Sequence, residues 1–184
     1  MVLEVIHRFD PWSDSWCTCP KKYSLNPYTG CAHRCVYCYI TSYIPRAFEC
    51  RPKRNLLERV ERDIGKIEKG VHVSMSNSSD PYPPLEAELR LTRGCLELFQ
   101  KNTIPVQIIT KSDLVVRDVG ILKNMRCVVS FTITTMNERV RRKLEPGAPP
   151  SEKRLQAMRE LAELGIAVTL RLDPVFPVLN EGEV

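Results

Sequence analysis

Four short runs of apolar and β-branched residues constrain the fold of this chain more than any other feature. They cover 71–76 (VHVSMS), 106–110 (VQIIT), 127–134 (CVVSFTIT) and 166–172 (IAVTLRL). Short runs that are almost continuously apolar are typical of strands buried on both faces. The gaps between them are long enough for the crossover helices that parallel strands require. The sequence therefore predicts an α/β domain with a parallel sheet covered by helices.

Helical periodicity fills the gaps between these runs. The predicted helices cover 55–69, 85–101, 113–124 and the segment from Ser151 to Gly165. We expect Gly70 to end the first helix and Gly165 the last, because glycine is common directly after a helix. Ser151 is the predicted N-cap of the last helix. The predicted inner stripe of that helix consists of Leu155, Met158, Leu161 and Ala162.

Length and composition predict one domain with a sizeable core, since the chain has 184 residues and 43% of them are apolar. The longest uninterrupted apolar runs are only a few residues, too short to cross a bilayer. The start, MVLEVIHRFD, carries acidic groups where a signal peptide has a basic and then an apolar stretch. We therefore expect a cytoplasmic protein without a membrane partner. The net charge of +5 is spread among acidic neighbours, which permits nucleic acid as a partner without requiring it.

Three of the eight cysteines lie in the run C-A-H-R-C-V-Y-C, where Cys31, Cys35 and Cys38 have the spacing CxxxCxxC. Cysteine clusters in a chain without a secretory signal indicate a metal or catalytic site rather than a disulfide framework. The spacing predicts that three thiolates hold three corners of an iron–sulfur cube, leaving the fourth iron without a protein ligand. A tetrahedral zinc site completed by His33 or Cys50 is the alternative.

Polar or ionisable residues follow every predicted strand. They are Asn77, Ser78, Ser79 and Asp80 after the first run, Lys111 after the second, Thr132 and Thr134 at the end of the third, and Arg171 and Asp173 at the end of the fourth. Functional groups in a barrel of parallel strands lie at the carboxyl ends of the strands, so these are candidate site residues. Structural roles stay open for the same residues: Ser79 and Asp80 as turn formers before Pro81, Lys111 as a solvated lysine, Thr132 as a strand former, and Arg171 with Asp173 as an ion pair.

The cysteine spacing, with the aromatic residue Tyr37 directly before the last cysteine, resembles the signature of the radical S-adenosylmethionine (SAM) superfamily. The resemblance implies a partial TIM-type (βα)₆ barrel whose cluster loop follows a first strand within KKYSLNPY. About five strands are recognisable, so the barrel is predicted to be incomplete at its carboxyl end. The implied cofactors are a [4Fe–4S] cluster and SAM, which is cleaved reductively to methionine and a 5′-deoxyadenosyl radical. The electron would come from a flavodoxin- or ferredoxin-type donor.

Five further segments resemble the spore photoproduct lyase-like branch, whose members are described as DNA repair photolyase-related. They are SNSSDPYPPLE, TKS, SFTIT, LEPGAPPSEKRL and RLDPVFP. The resemblance covers roughly residues 23–177, and we expect an N-terminal extension at 1–22 before a barrel domain at 23–184. It implies a set of SAM-binding residues: Ser79 and Asp80 for the amino group, Lys111 for the carboxylate, Thr132 for a hydrogen bond, Tyr37 against the adenine, and Arg171.

One position departs from that branch. Spore photoproduct lyase has a cysteine hydrogen donor three residues before the aspartate of the motif, and Asn77 occupies that place here. Asparagine cannot donate a hydrogen atom in this way, so the catalytic residues are not assigned and the substrate is left open, with nucleic acid among the candidates. The alternative function is a non-catalytic zinc or iron–sulfur module that recruits a partner or senses redox state.

The other five cysteines divide by context. Cys95 and Cys127 lie in apolar surroundings, where cysteine behaves as a small hydrophobic residue, and we expect them in the core. Cys17, Cys19 and Cys50 have no recognisable ligand spacing, so we expect free thiols.

Overall fold

Eight strands and six α-helices are formed by the residues that this computed structural model describes, which are 2–9 and 20–183. The strands are β1 (His7–Phe9), β2 (Lys22–Leu25), β3 (Tyr28–Thr29), β4 (Arg51–Pro52), β5 (Val73–Met75), β6 (Val106–Thr110), β7 (Cys127–Thr132) and β8 (Ala167–Arg171). The helices are α1 (Leu56–Ile64), α2 (Glu86–Leu89), α3 (Leu91–Lys101), α4 (Val119–Leu122), α5 (Glu138–Leu144) and α6 (Ser151–Glu163). Short 3₁₀ turns cover Tyr39–Ser42, Asp113–Asp118 and Glu181–Glu183. In this part of the chain, no helix has the length and apolar character needed to cross a membrane.

Six of the strands form one sheet in the order β1-β2-β5-β6-β7-β8, while β3 pairs with β4. β1 is antiparallel to β2, and every following neighbour pair in this sheet is parallel. Spatial order therefore follows chain order, as in a (βα) barrel. The described strands leave the sheet open. The prediction of an α/β fold with a parallel sheet, consistent with a partial barrel, is confirmed.

Side chains of the central strands are buried in the core, whereas those of the edge strand β8 are partly exposed. Met75 on β5, Ile108 on β6 and Phe131 on β7 are completely buried. β8 has a single described neighbour, β7, and its Leu170 is 54% exposed. The prediction of burial on both faces is therefore wrong for the run at 166–172, because Ala167, Thr169 and Leu170 are exposed and the described elements leave both faces of this strand partly uncovered.

The first helix ends earlier than the sequence predicts. α1 ends at Ile64 with Gly65 as its C-cap, not at Gly70. Asp63, in the last turn, accepts hydrogen bonds of 2.8 to 3.0 Å from the backbone N–H groups of residues 4–6. The end of α1 therefore fixes the amino-terminal segment against the sheet, and residues that follow Ile64 form turns.

The segment predicted as one helix at 85–101 is two helices. Arg90 separates them with a φ of 52°. Glu86 is completely buried, and its carboxylate accepts hydrogen bonds from the N–H groups of Thr92 (2.9 Å) and Arg93 (3.2 Å). These N–H groups belong to the first turn of α3 and have no partner within that helix. The break therefore lets α2 supply the cap of α3.

The inner face of α6 also differs from its predicted stripe. Ser151 is the first helical residue and donates a hydrogen bond to the carbonyl of Thr135 (2.7 Å), so it is not the N-cap. Leu161 is buried as predicted, whereas Ala162 is exposed and Arg154 is completely buried. Arg154 can occupy an inner position of the helix because Glu145, its partner in an ion pair, is buried with it.

Candidate functional site

The cysteine loop follows β3 and is fixed by two close backbone contacts. Gly30 has a φ of +75°, and a Cβ there would lie 2.4 Å from the carbonyl oxygen of Glu49. A Cβ on Gly147 would lie 2.2 Å from the carbonyl oxygen of Ala32, and the Gly147 N–H donates a hydrogen bond of 2.9 Å to the carbonyl of His33. Glycine is therefore required at both positions, and the loop is clamped from two sides.

Three free thiols from this loop line one cavity of about 460 Å³. Burial is the largest effect on both deeper thiols, raising the pKa of Cys31 to about 12 and that of Cys35 to about 11. Cys38 is half-buried at the same cavity wall. Metal binding would have to displace these protons, since the thiolate is the metal ligand. Among the described residues, no three His, Cys, Asp or Glu side chains converge on one point where they could hold a metal ion.

The donor set matches an iron–sulfur cube better than a tetrahedral zinc ion. Both ring nitrogens of His33 face oxygens: Nε2 lies 3.1 Å from Asp80, and Nδ1 lies 3.3 Å from the carbonyl oxygen of Gly147. Cys50 is half-buried and does not line the cavity. Neither predicted fourth zinc ligand therefore points to the three thiols as a free donor. In a cube each cysteine binds its own iron, so the three sulfurs need not meet at one point.

Asp80 connects the cysteine loop to the ends of two strands. Its carboxylate accepts hydrogen bonds from the Thr110 hydroxyl (2.7 Å), the Lys111 N–H (2.7 Å) and the Tyr82 N–H (2.9 Å), and it contacts His33. Burial by itself would raise the pKa of Asp80, but His33 and these hydrogen bonds outweigh it and hold the pKa at about 2. The structure thus places this predicted SAM ligand inside the wall of the cavity, with both oxygens already engaged.

A buried carboxylate that sequence analysis did not identify organises the other wall. Glu145 is completely buried and lies 2.7 Å from the Arg154 guanidinium and 3.8 Å from the Lys111 ammonium. It also accepts hydrogen bonds from Thr134 (2.6 Å) and from the Tyr37 hydroxyl. Burial would raise the pKa of Glu145, but Lys111 and Arg154 keep it below its usual value. Glu145 lies within LEPGAPPSEKRL, one of the segments that resemble the spore photoproduct lyase-like branch. That resemblance was the one feature of the sequence that could have identified it.

The remaining predicted site residues line the cavity with different partners. The Ser79 hydroxyl donates to the carbonyl of Tyr28 (2.9 Å), and Arg171 pairs with Asp173 (3.0 Å). Thr132 is buried at the cavity wall, and Lys111 lies 5.6 Å above the ring of Tyr37. All residues predicted from strand ends except Thr134 therefore line one cavity together with Tyr37 and the three cysteines of the loop.

Tyr39 is a further residue at the cavity that sequence analysis did not single out. It follows the last cysteine, is 65% exposed, and its hydroxyl donates to the carbonyl of Asn77. This contact therefore involves Asn77, the residue that occupies the place of the cysteine hydrogen donor of spore photoproduct lyase in the sequence comparison above.

The other cysteines are placed as follows. Cys95 is completely buried, as predicted, whereas Cys127 is only half-buried at the start of β7. Cys50 forms no disulfide with any described cysteine. Cys17 and Cys19 lie outside the described residues.

The cavity suits a nucleoside-sized ligand that carries both charge and an aromatic ring. Its volume is within the range of small-molecule sites. Thiols line one part of its wall, the cations Lys111 and Arg171 another, and the rings of Tyr37 and Phe176, 5.5 Å apart, offer apolar surface. These groups can bind a metal cluster, a carboxylate and a planar ring at the same time.

Comparisons with known proteins agree with this arrangement. A family profile described as the radical SAM superfamily matches residues 25–184. An uncharacterized protein of Methanocaldococcus jannaschii is 33% identical over 171 residues, which cover 88% of this chain and 63% of that protein. A radical SAM Nalpha-GlyT isomerase of Pseudomonas phage M6 is 26% identical over 157 residues, covering 82% of this chain and 32% of the isomerase. The chain thus spans less than two thirds of the length of these relatives.

Solved structures share the fold at low identity. Spore photoproduct lyase complexed with dinucleoside spore photoproduct has a TM-score of 0.67 and 21% identity, covering 84% of this chain and 46% of the lyase. Native anSMEcpe with bound AdoMet has a TM-score of 0.57 and 16% identity, covering 80% of this chain and 42% of that protein.

Proposed function

This chain belongs to the radical SAM superfamily, and we propose that it binds a [4Fe–4S] cluster through Cys31, Cys35 and Cys38 and cleaves SAM reductively. The observation that carries the proposal is that three free thiols from one loop line one cavity, while the imidazole of His33 in that loop lies 3.1 Å from the Asp80 carboxylate. Cluster and SAM together supply the radical chemistry when bound, since cleavage yields methionine and a 5′-deoxyadenosyl radical. The protein supplies binding and orientation.

Lys111 is the proposed partner of the SAM carboxylate. Glu145 carries one negative charge between two cations, Lys111 and Arg154, so the group has an excess of one positive charge. Arg154 is completely buried, whereas 17% of the Lys111 side chain is exposed and Lys111 lines the cavity. The excess charge is therefore available to an anion through Lys111.

The remaining predicted residues are assigned to SAM in the same way. We place the SAM amino group beside Ser79 and Asp80, where Asp80 acts by positioning Lys111 through its backbone N–H. Tyr37 offers its ring to the adenine, and Thr132 and Arg171 complete the wall.

The substrate class that we propose is nucleic acid. One structural neighbour, spore photoproduct lyase, is complexed with dinucleoside spore photoproduct, and the fold is shared with it. The net charge of +5 favours a polyanion. Because Asn77 cannot donate a hydrogen atom, the reaction would differ from that of the lyase. The free cysteines among the described residues also favour a reducing compartment such as the cytoplasm.

Anaerobic reconstitution with iron and sulfide tests the proposal. We expect a brown protein with absorbance near ~400 nm, and 5′-deoxyadenosine when the dithionite-reduced protein is incubated with SAM. Cys35→Ala should lose both signals, whereas Cys127→Ala, a half-buried cysteine outside the loop, should keep them. A colourless zinc protein would favour the binding module instead. A brown protein that yields no 5′-deoxyadenosine would contradict the enzyme.

A further inference from the structure

Two exposed aromatic rings lie beside the cavity. Tyr39 lines the cavity although most of its side chain is exposed, and Tyr43, which does not line it, is 52% exposed. Their ring centres lie 6.1 Å apart, with 31° between the ring planes. Neighbouring exposed rings at the rim of a cavity are a candidate contact surface for a ligand that extends out of it. We name Tyr39 and Tyr43 the tyrosine pair.

The backbone around the tyrosine pair is well anchored. Tyr39 begins a 3₁₀ turn that ends at Ser42, and Ile40 within this turn is buried. The N–H of Tyr43 donates a hydrogen bond of 3.2 Å to the carbonyl of Ile40. The Tyr39 hydroxyl donates to the carbonyl of Asn77, another residue of the cavity wall. A ligand therefore meets rings whose supporting turn is already ordered, which lowers the entropic cost of binding.

A cation at the same cavity is accessible to a phosphate. Arg171 lines the cavity together with Tyr39 and pairs with Asp173 at 3.0 Å. Both partners are open to solvent, with 40% of the Arg171 side chain and 61% of the Asp173 side chain exposed. Ion pairs of this kind contribute little free energy. A phosphate can therefore replace Asp173 as the partner of the Arg171 guanidinium.

We propose that the tyrosine pair stacks a base of a single-stranded nucleic acid whose neighbouring nucleotide occupies the cavity. The inference rests on the proposed function and narrows its substrate class from nucleic acid to an unpaired strand. Proteins bind single strands by stacking bases on aromatic side chains and by placing cations along the backbone, and every base has a face that can stack. In a duplex the neighbouring base pairs cover these faces, so exposed rings at a protein surface have no base to stack on unless one is flipped out.

Binding of a fluorescently labelled oligothymidine of about 12 nucleotides to the anaerobically reconstituted protein with SAM, measured by anisotropy, tests the proposal. Tyr43→Leu should bind this strand about tenfold more weakly, because leucine keeps apolar bulk but has no planar face. Tyr43→Phe keeps the ring and should bind within about twofold of the unmodified protein. The matched control is Phe48→Leu, which removes an exposed ring that does not line the cavity and should also bind within about twofold.

Two further probes separate stacking from charge. A strand of the same length with abasic sugars should bind equally to the unmodified protein and to Tyr43→Leu, since it has phosphates but no bases. A duplex of the same length should likewise show no difference between the two proteins. The tenfold difference on oligothymidine should persist from about 0.05 to about 0.2 M salt, although every affinity falls as phosphate contacts weaken.

Three results would overturn the proposal. The first is equal binding of oligothymidine by Tyr43→Leu and the unmodified protein, and the second is an equal loss by Tyr43→Leu on the abasic strand or the duplex. The third is a change of oligomeric state in Tyr43→Leu, measured by sedimentation velocity, since a second copy of the chain would then cover the rings. Tyr43→Trp, with a larger ring, should bind oligothymidine more tightly, so the proposal can be tested even if Tyr43→Leu does not fold.

Failure of the proposed function gives a different result. If the unmodified protein binds no strand, both the stacking role and the proposed substrate class are refuted, whereas SAM cleavage is not. If the unmodified protein forms no 5′-deoxyadenosine with dithionite, the radical chemistry is refuted, and the binding measurements still decide whether the tyrosine pair stacks a base.

Discussion

Replacing Glu145 by glutamine should destabilise the protein more than any change of an exposed charge. Glu145 and its partner Arg154 are both completely buried, 2.7 Å apart. Glutamine has nearly the same size, and its single oxygen can still accept hydrogen bonds from Thr134 and Tyr37. Its NH₂ group then takes the place of the oxygen that faces Arg154, so the variant removes the charge and this acceptor. Breaking a buried ion pair from one side costs about 3–5 kcal/mol, because the other charge is left buried without compensation. We expect the lower end, about 3 kcal/mol, since those two hydrogen bonds are retained.

A loss of that size is measurable and large, because a typical domain unfolds with about 5–15 kcal/mol. Urea denaturation followed by circular dichroism should show the lower free energy of unfolding, and the melting temperature should fall by roughly 6–12 °C. The control Glu138→Gln also removes a carboxylate that pairs with arginines, but at the exposed surface, and should change stability far less. The double variant Glu145→Gln/Arg154→Met should recover only part of the loss, because it removes the orphaned cation but also the hydrogen bonds that Arg154 donates to the carbonyls of Pro149 and Thr132.

The pH dependence gives an independent test of the same ion pair. The pKa of Glu145 is lower in the folded protein than its usual value, so its contribution to stability is fully present above that usual value. It is lost as the pH falls through the lowered folded pKa. The unmodified protein should therefore lose stability in acid more steeply than Glu145→Gln. Equal stability of the two proteins at neutral pH, or equal acid sensitivity, would refute this account of the buried network.

Two further predictions concern the cysteine loop and Asp80, which contacts it. Gly147→Ala should lower the iron content after reconstitution, because the new Cβ would lie 2.2 Å from the carbonyl oxygen of Ala32. The control Gly120→Ala should bind iron normally, since its new Cβ would have nothing within 4 Å. Equal iron content in the two variants would contradict the role of Gly147 in fixing the loop. Asp80 should contribute about 2 kcal/mol of stability above pH 4 that disappears as the pH falls towards about 2, since its pKa is lowered from 3.8 to about 2. Urea unfolding at about pH 4 and about pH 2 should show this fall in the free energy of unfolding, and the fall should be smaller in Asp80→Asn. An equal fall in the variant would mean that another group causes it.

The sequence was sufficient to predict elements that periodicity and spacing encode. Runs of apolar residues predict β5, β6, β7 and β8 within two residues at each end, and the cysteine spacing predicts three thiols at one cavity. It was not sufficient for polar groups whose partner lies elsewhere in the chain. Arg154 looks like a surface residue in any helical pattern, and its burial depends on a carboxylate nine positions away.

The same limit applies to Asp80 and Lys111, which line the same cavity as the three cysteines but have contacts that the sequence did not predict. A strand-end position indicates that a side chain reaches the site, yet it does not show which of its atoms are already engaged. Both oxygens of Asp80 are used by Thr110, Lys111, Tyr82 and His33, so its contribution is to hold the loop ends in register.

The two buried carboxylates of the site, Asp80 and Glu145, have different roles. Asp80 faces neutral hydroxyl and N–H donors besides His33, and its hydrogen bonds fix backbone positions on both sides of the cavity. Glu145 faces two full cations, and one carboxylate cannot neutralise both Lys111 and Arg154. Since an uncompensated charge is costly to bury, the excess must lie on the cation that reaches solvent, which is Lys111. The ion pair that stabilises the fold therefore also leaves Lys111 with a positive charge at the cavity wall, where it can attract an anion.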